Sequence, residues 1–366
     1  MSPDPAAMLD MPDRIDRIVF TGDLLRVDDR RAARGLNPDR GEVAWLNALM
    51  APVLCHVLDL PAVTLLLDEV TAPVRRQDVY AMHGVEFTAQ GWAWFYDRPL
   101  LAEAEAVLAP LFDGALAVAF AAPPYLRRLW QARDVPFIDF ALHPIRFLAD
   151  DLLGLRSNLA PVAAALQGHV LAASTLALPI RLLQAQARLH LGPVPEAGSV
   201  LFLGQDSRSA PLIAEGRLAG LADLRLALVA AASRYGSVYF HADPVADDPA
   251  LYAMVEAIPR VEWLTGDLHG ILASGRLAKV ESLSAPALME AALLGLETAR
   301  VLPGGAEAAG PGATITAERY APMLPRILAP QVWSDAFQGV AGAGGAPDLA
   351  AGLLRQSRWA LEAARV

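Results

Sequence analysis

The sequence predicts an α/β protein built from two doubly wound parallel-sheet domains. Short apolar runs alternate with helix-length stretches along most of the chain, and the alternation restarts beyond Gly192-Pro193-Val194-Pro195-Glu196-Ala197-Gly198. A length of 366 residues also suits two ordinary cores better than one. The expected division is an N-terminal domain over 1–194, a second domain over 195–348, and a C-terminal helix within 349–366 packing back on the first.

The elements follow in order. Ile18-Val19-Phe20 runs into Thr21-Gly22-Asp23, a short buried strand ending in a glycine turn. Asn37-Pro38-Asp39 precedes Val43 to Val57, whose apolar residues recur at helical spacing. Ala62 to Leu67, Leu116 to Ala121 and Phe137 to Leu142 read as strands, with helices at Trp92 to Leu111 and Tyr125 to Arg133. A long helical stretch, Ala160 to Leu191, leads into the linker. Beyond it, strands are expected at Val200 to Leu203, Val238 to Phe240, Val261 to Leu264, Ala278 to Glu281 and Thr298 to Leu302. Leu221 to Tyr235 and Ala285 to Leu294 read as helices among them, Gly304 to Gly312 as a loop, and Leu349 to Arg365 as the closing helix.

Composition excludes several classes. Mean hydropathy is +0.34. The best candidate for a membrane span, Ala160 to Ile180, is nevertheless interrupted by Gln167 and His169. Met1 to Arg14 is Pro- and Asp-rich, without the basic and apolar regions of an export signal, so a cytoplasmic protein is expected. Cys55 is the single cysteine, which precludes a disulfide framework or a cysteine-based metal site, and it reads as a small buried apolar residue. A net charge of −10 argues against general nucleic-acid affinity. No phosphate-binding P-loop, dinucleotide glycine fingerprint or Gly-x-Ser-x-Gly elbow is present, and the histidines lack ligand spacing, so neither cofactor nor metal is expected.

Open parallel sheets bind ligands beyond the carboxyl ends of their strands, which directs attention to five segments. These are Thr21-Gly22-Asp23, the stretch from Asp139 through His143 to Phe147, Gly204 to Ser207, Phe240 to Pro244, and Ser282 to Pro286. Ser282 and Ser284 ahead of a helix would offer hydroxyls and backbone N–H groups to an anion, or Ser284 would serve only as that helix's N-cap. Glu290, further along, reads on spacing alone as a solvated face residue. Asp206 suits a nucleophile or base, or equally a turn cap. His143 and Arg146 form an anion-binding pair, or else a satisfied histidine and a surface cation.

Four stretches, Ser199 to Gln205, Tyr235 to Pro244, Leu268 to Leu272 and Ser282 to Gly295, resemble the donor domain of GT-B glycosyltransferases. Within that fold they are most similar to bacterial retaining β-Kdo transferases of capsule and O-antigen assembly, which use CMP-activated sugar acids. The segment Asp139 to Asn158, with His143-Pro144-Ile145-Arg146-Phe147, is similar as well, so the resemblance spans roughly residues 135 to 300. It implies two Rossmann-like domains facing a cleft, Ser282 and Ser284 at the donor phosphate, Glu290 toward the ribose, Asp206 as nucleophile and Asp139 as acid/base. Gln205 and His143 fall to the donor site as well, and by position Arg146 or Arg208 would hold the sugar carboxylate, Arg being suited to planar bidentate pairing.

One departure stands out. Where the family has a Lys-Pro-His-Pro-like strand end, this chain reads Phe240-His241-Ala242-Asp243-Pro244, so Asp243 holds the histidine position and His241 precedes it by two residues on the same strand face. The implied activity is metal-independent, retaining transfer of a Kdo-like sugar acid from a CMP-linked donor to a surface glycan. The alternatives are a UDP- or GDP-sugar donor, which would call on Arg276 and Lys279, or an inactive glycan-binding relative. The implied partners are a nucleotide sugar and a glycan or lipid-linked glycan, with no nucleic acid. A lipid-linked acceptor would bring the protein to the inner membrane surface, and Trp92-Ala93-Trp94-Phe95-Tyr96 offers either an apolar patch for that contact or part of a core.

Overall fold

A computed structural model describes residues 8–10, 15–29, 35–68, 72, 74–189, 194–243, 248–304 and 307–337. The chain forms two compact units. One comprises residues up to His143, Asp150–Ala172 and those from Glu307 onward; the other comprises Pro144–Ala149 and Ala173–Ala306. The boundary expected near residue 195 therefore lies earlier, at Ala172, and the expected second domain ends at Ala306 because the chain then returns to the first unit.

The first unit begins β1 (Arg17–Thr21), α1 (Arg40–Leu58), β2 (Ala62–Thr64), α2 (Arg76–Met82), α3 (Ala89–Tyr96) and α4 (Ala102–Leu108). It continues β3 (Ala115–Phe120), α5 (Pro124–Ala132), β4 (Phe137–Leu142), β5 (Leu153–Ser157) and α6 (Ala160–Leu166). Its sheet runs β2-β1-β3-β4-β5, with a further edge strand beyond β5. The first four of these strands are parallel, and β5 is antiparallel to β4.

Interior parallel strands are covered on both faces, which explains why Ile18, Val19 and Phe20 of β1 and Leu116, Ala117 and Val118 of β3 are all buried. Helix α1 lays Val43, Leu46, Met50, Val53, Leu54 and Val57 on one stripe against that sheet. Each such side chain contributes roughly 1.5–3 kcal/mol on leaving water. Length and composition would let α1 cross a membrane, yet its apolar stripe lies in this core. Trp92, Ala93 and Phe95 of α3 are likewise buried, so the aromatic cluster is core rather than a surface patch. Cys55 is half-buried beside the same core, not enclosed within it.

The expected helix from Ala160 to Leu191 is interrupted. After α6 the backbone at Val170 and Leu171 pairs with strand 321–323, Leu171 N–H donating to the Pro322 carbonyl, and the helix cannot continue through residues committed to a ladder. It resumes as α7 (Ala177–Leu189) in the second unit.

That unit continues β6 (Ser199–Leu203), the small hairpin β7 (Ile213–Ala214) and β8 (Arg217–Leu218), α8 (Leu221–Arg234), β9 (Val238–His241) and α9 (Pro249–Glu256). Then come β10 (Val261–Trp263), α10 (Leu268–Ala273), β11 (Leu277–Ser282), α11 (Leu288–Leu293) and β12 (Glu297–Arg300). Its sheet is wholly parallel in the order β10-β9-β6-β11-β12. One face packs Phe202, Val238 and Phe240 with α8 and α9. The other packs Leu201, Tyr239 and Val280 with α10 and α11.

The chain then returns with β13 (Ala321–Met323), which pairs antiparallel with β5 at the edge of the first sheet, and α12 (Pro330–Ala336), which buries Trp333. The expected closing helix, Leu349 to Arg365, lies outside the described residues. The α/β class and the paired, largely parallel sheets are as the sequence predicts.

Candidate functional site

In the second unit strand order reverses between β6 and β11, because successive connections from β6 move outward through β9 and β10 before the chain crosses back. Such a switch point opens a crevice at the carboxyl ends of the two strands. Backbone register lines up Arg300, Ser282, Leu203 and His241 across that edge of the sheet. Gly204 follows β6, and its N–H donates to the His241 carbonyl at 2.8 Å. A Cβ there would stand 2.9 Å from the Phe240 ring and 3.3 Å from the β9 backbone, so only glycine lets the two strand ends approach this closely.

Gln205 bridges the crevice. Its Nε2 donates to Ser284 Oγ at 3.0 Å, and its Oε1 accepts from Ser284 N–H at 3.0 Å. Ser282 Oγ donates to the Leu203 carbonyl at 2.9 Å and accepts from Ala285 N–H at 2.9 Å. Both serines are fully buried. The helix expected from Ala285 begins only at Leu288, with Ala287 at its N-cap position, so Ser284 does not cap it; the preceding turn is closed by Ser282 instead.

Asp206 is about one-third exposed beside Arg208, whose backbone N–H and Nε reach Oδ1 at 3.2 and 3.1 Å. The Asp206 carboxylate thus shapes its own turn, as Asp in glycine-led loops commonly does, and leaves Oδ2 without a hydrogen bond among the described residues. His241 ends β9 buried, with Nε2 donating to the Gly266 carbonyl at 3.1 Å. Asp243 lies two residues past the strand.

Glu290 differs most from its expected setting. Rather than facing solvent or an open ribose site, it is 2% exposed, and Oε1 accepts the backbone N–H groups of Arg146 and Phe147 at 2.6 and 3.1 Å. His269 Nε2 donates to the same oxygen at 3.1 Å. Glu290 is therefore a clasp on the Pro144–Ala149 segment, through which the chain joins this unit between two stretches of the other. Burial pulls the His269 pKa down, but the hydrogen bond and charge of Glu290, with Asp267, outweigh it, so the net shift is upward.

In the first unit Asp139 sits on β4, with both oxygens engaged. Oδ2 accepts from Arg156 Nε and from the Tyr320 hydroxyl, each at 2.7 Å, and Oδ1 from Ala122 N–H at 3.1 Å. Neither Asp139 nor Arg156 has any exposed surface, so Asp139 is placed as half of a structural ion pair and not as a base open to an acceptor hydroxyl. His143 is a satisfied buried histidine, with Nε2 donating to the Ala309 carbonyl at 3.0 Å, and it belongs to a different unit from Arg146.

A buried carboxylate that the sequence marks only by its strand end is Asp23. It accepts from the Tyr125 hydroxyl at 2.7 Å, from Trp92 Nε1 at 2.6 Å and from Leu25 N–H at 3.0 Å. Asp39 lies against it, accepting Asp23 N–H at 2.9 Å, and Gly22 is what admits Asp39, since a Cβ would stand 3.0 Å from its Oδ2. Burial first, then the charge of Asp39, push the Asp23 pKa up to about 6 against the lowering effect of its hydrogen bonds.

The residue that sequence reasoning passed over is Arg300. It ends β12 in register with Ser282, half-buried, and its side chain makes no hydrogen bond or ion pair among the described residues. Burial alone pushes its pKa down. Its signal was available, as a lone arginine inside the strand run Thr298 to Leu302. Among the described residues no three His, Cys, Asp or Glu side chains converge as a metal site requires.

No protein-family model and no curated protein matches the chain. Among solved structures it is similar to KpsC of Thermosulfurimonas dismutans, a beta Kdo 2,7 transferase, at 10% identity and a TM-score of 0.30, covering 54% of this chain and 68% of that one. It is also similar to the UDP-GlcNAc 2-epimerase of Neisseria meningitidis bound to UDP-GlcNAc, at 9% identity and a TM-score of 0.24, covering 78% of this chain and 81% of that one. Likeness at this level says nothing of chemistry.

Proposed function

We propose that the chain is a GT-B-type glycosyltransferase whose second unit binds the nucleotide of an activated sugar, a CMP-linked sugar acid of the Kdo kind, for transfer to a glycan acceptor. The observation that carries this reading is the meeting of Gln205, Ser282 and Ser284 at the switch point between β6 and β11, with Arg300, whose side chain has no partner among the described residues, in register with Ser282 on the next strand, β12. One guanidinium and the Gln205 amide, held in place by the two buried serines, suit a single phosphate.

The cations that a diphosphate would call on are engaged elsewhere. Lys279 pairs with Glu297 at 2.9 Å and Glu281 at 3.5 Å, and Arg276 donates to the Pro195 carbonyl at 2.6 Å. Arg276 also precedes β11, at the end of the strand opposite the crevice. This favours a monophosphate-linked donor over a UDP- or GDP-sugar.

In the transfer itself, Asp206 Oδ2 bonds the anomeric carbon as the carbon–oxygen bond to phosphate breaks, and the phosphate leaves with the bonding pair toward Arg300. An acceptor hydroxyl then displaces Asp206, its proton passing to the phosphate that has left, and Asp206 is freed as the carboxylate. Enclosure of Asp139 keeps it from taking that proton.

The same enclosure, with Glu290 already occupied, favours a second reading: a nucleotide-sugar-binding protein without turnover. Calorimetric titration with CMP, CMP-Kdo, a UDP-sugar and a GDP-sugar, followed by an assay of CMP release with added glycan, separates them. The transferase reading expects binding of the CMP compounds alone and release of CMP. Binding without release selects the second reading, and the absence of nucleotide binding ends both.

A further inference from the structure

Helix α7 carries an apolar stripe that is exposed among the described residues. Leu178, Leu182, Ala185 and Leu189 recur at i, i+4, i+7 and i+11 on one face, and the three leucines are 61%, 54% and 81% exposed. The opposite side, with Pro179, Ile180, Leu183 and Ala187, is half-buried, and α7 packs against α10. A soluble helix normally spends its leucines on the packed face alone, and an exposed stripe of this kind marks an interaction surface.

Charge identifies the occupant. Arg181 and Arg188, both exposed, flank the leucines, and no Asp or Glu occurs between Asp151 and Glu196 in a chain of net charge −10. A second copy of this helix would bring the same two cations against them without an acid to pair. An anionic lipid surface supplies both what the leucines and what the arginines need.

We propose that α7 lies in the plane of an anionic bilayer surface, with Leu178, Leu182 and Leu189 entering the acyl boundary and Arg181 and Arg188 meeting headgroup phosphates. Thirteen residues give a helix about 20 Å long, too short to cross a bilayer and suited to lying on one.

The test is co-sedimentation of the full chain with vesicles of phosphatidylcholine alone and of phosphatidylcholine with phosphatidylglycerol. Binding to the anionic vesicles is expected, weakening with salt. It should fall about tenfold in Leu178→Ser/Leu182→Ser/Leu189→Ser and become largely insensitive to salt in Arg181→Gln/Arg188→Gln. These side chains are exposed, so circular dichroism and the thermal midpoint should be unchanged. Equal binding by the leucine variant, no binding to either vesicle, or a solution dimer abolished by the leucine substitutions would overturn the proposal. No catalysis is read, so its failure is distinct from failure of the donor assignment.

Discussion

Arg156 Nε donates to Asp139 Oδ2 at 2.7 Å, with both side chains wholly enclosed, and the Arg156 guanidinium stacks 4.0 Å from the centre of the Tyr320 ring. The remaining donors of Arg156 go to the Ala122 and Glu318 carbonyls at 2.7 and 3.2 Å. This group ties β4, β5 and the loop before β13 into one unit. Asp139→Ala strands a buried guanidinium and should cost about 3–5 kcal/mol in urea unfolding. Asp139→Ala/Arg156→Met removes both charges and should recover a substantial part of that loss. If the double variant is less stable than the single one, the pair is not the cause.

Asp23 gives the first unit a pH signature. Its pKa rises from 3.8 to about 6 on folding. Between those values the unfolded chain has released the proton while the fold retains it, so this group favours the fold below pH 3.8, and that contribution is lost as pH rises to about 6. The shift corresponds to about 3 kcal/mol. Asp23→Asn cannot titrate, so the difference in unfolding free energy between wild type and variant should change by about that amount from pH 4 to pH 7. A difference independent of pH would refute the assignment.

Strands were legible where apolar runs were unbroken, as at β1, β3, β6 and β9, and β4 was legible despite the Asp139 in its middle. The strand β5 was hidden because Leu-Gly-Leu-Arg-Ser carries a charged residue into the core, and only the distant Asp139 makes that placement stable. The break after α6 was illegible for a related reason: Val170 and Leu171 pair with a strand over 150 residues away, which no local pattern records.

Of the candidate site, the sequence showed which loops lie at strand ends, but not the partners of their side chains. Gln205, Ser282 and Ser284 come together, whereas Asp139, His143 and Glu290 are consumed by Arg156, by the Ala309 carbonyl and by the backbone of Arg146 and Phe147. Arg300 was missed because its meaning depends on register with Ser282.

Asp206→Asn should leave the thermal midpoint within about 1 °C, since a third of the side chain is exposed and its turn can be held by the amide. On the proposed chemistry it should lower transfer at least about a thousandfold while CMP-Kdo still binds. Near-normal transfer by this variant would remove Asp206 as nucleophile.

Arg300→Gln and Gln205→Ala separate charge from scaffold. Arg300 has no partner among the described residues to lose, so its replacement should leave stability unchanged or slightly raised and weaken CMP binding about tenfold or more. Gln205→Ala leaves the Ser284 N–H without its acceptor and should cost about 1–2 kcal/mol of stability as well as affinity. Calorimetry and urea unfolding on the same samples read both quantities. Unchanged CMP affinity in Arg300→Gln would move the phosphate elsewhere.

Glu290 and His269 supply a test that needs no ligand. Since Glu290 holds the His269 pKa above its usual 6.5, their pairing stabilises the fold fully below that value and the benefit is lost as pH rises through the raised one. Glu290→Gln keeps an oxygen for the Arg146 and Phe147 N–H groups but removes the charge, so the His269 Cε1–H resonance should titrate lower and that pH dependence should disappear. Glu290→Ala removes the oxygen too and leaves two backbone donors unpaired, which should cost about 2–5 kcal/mol beyond the glutamine variant. If alanine and glutamine destabilise equally, the clasp on Pro144–Ala149 contributes nothing, and Glu290 acts through its charge alone.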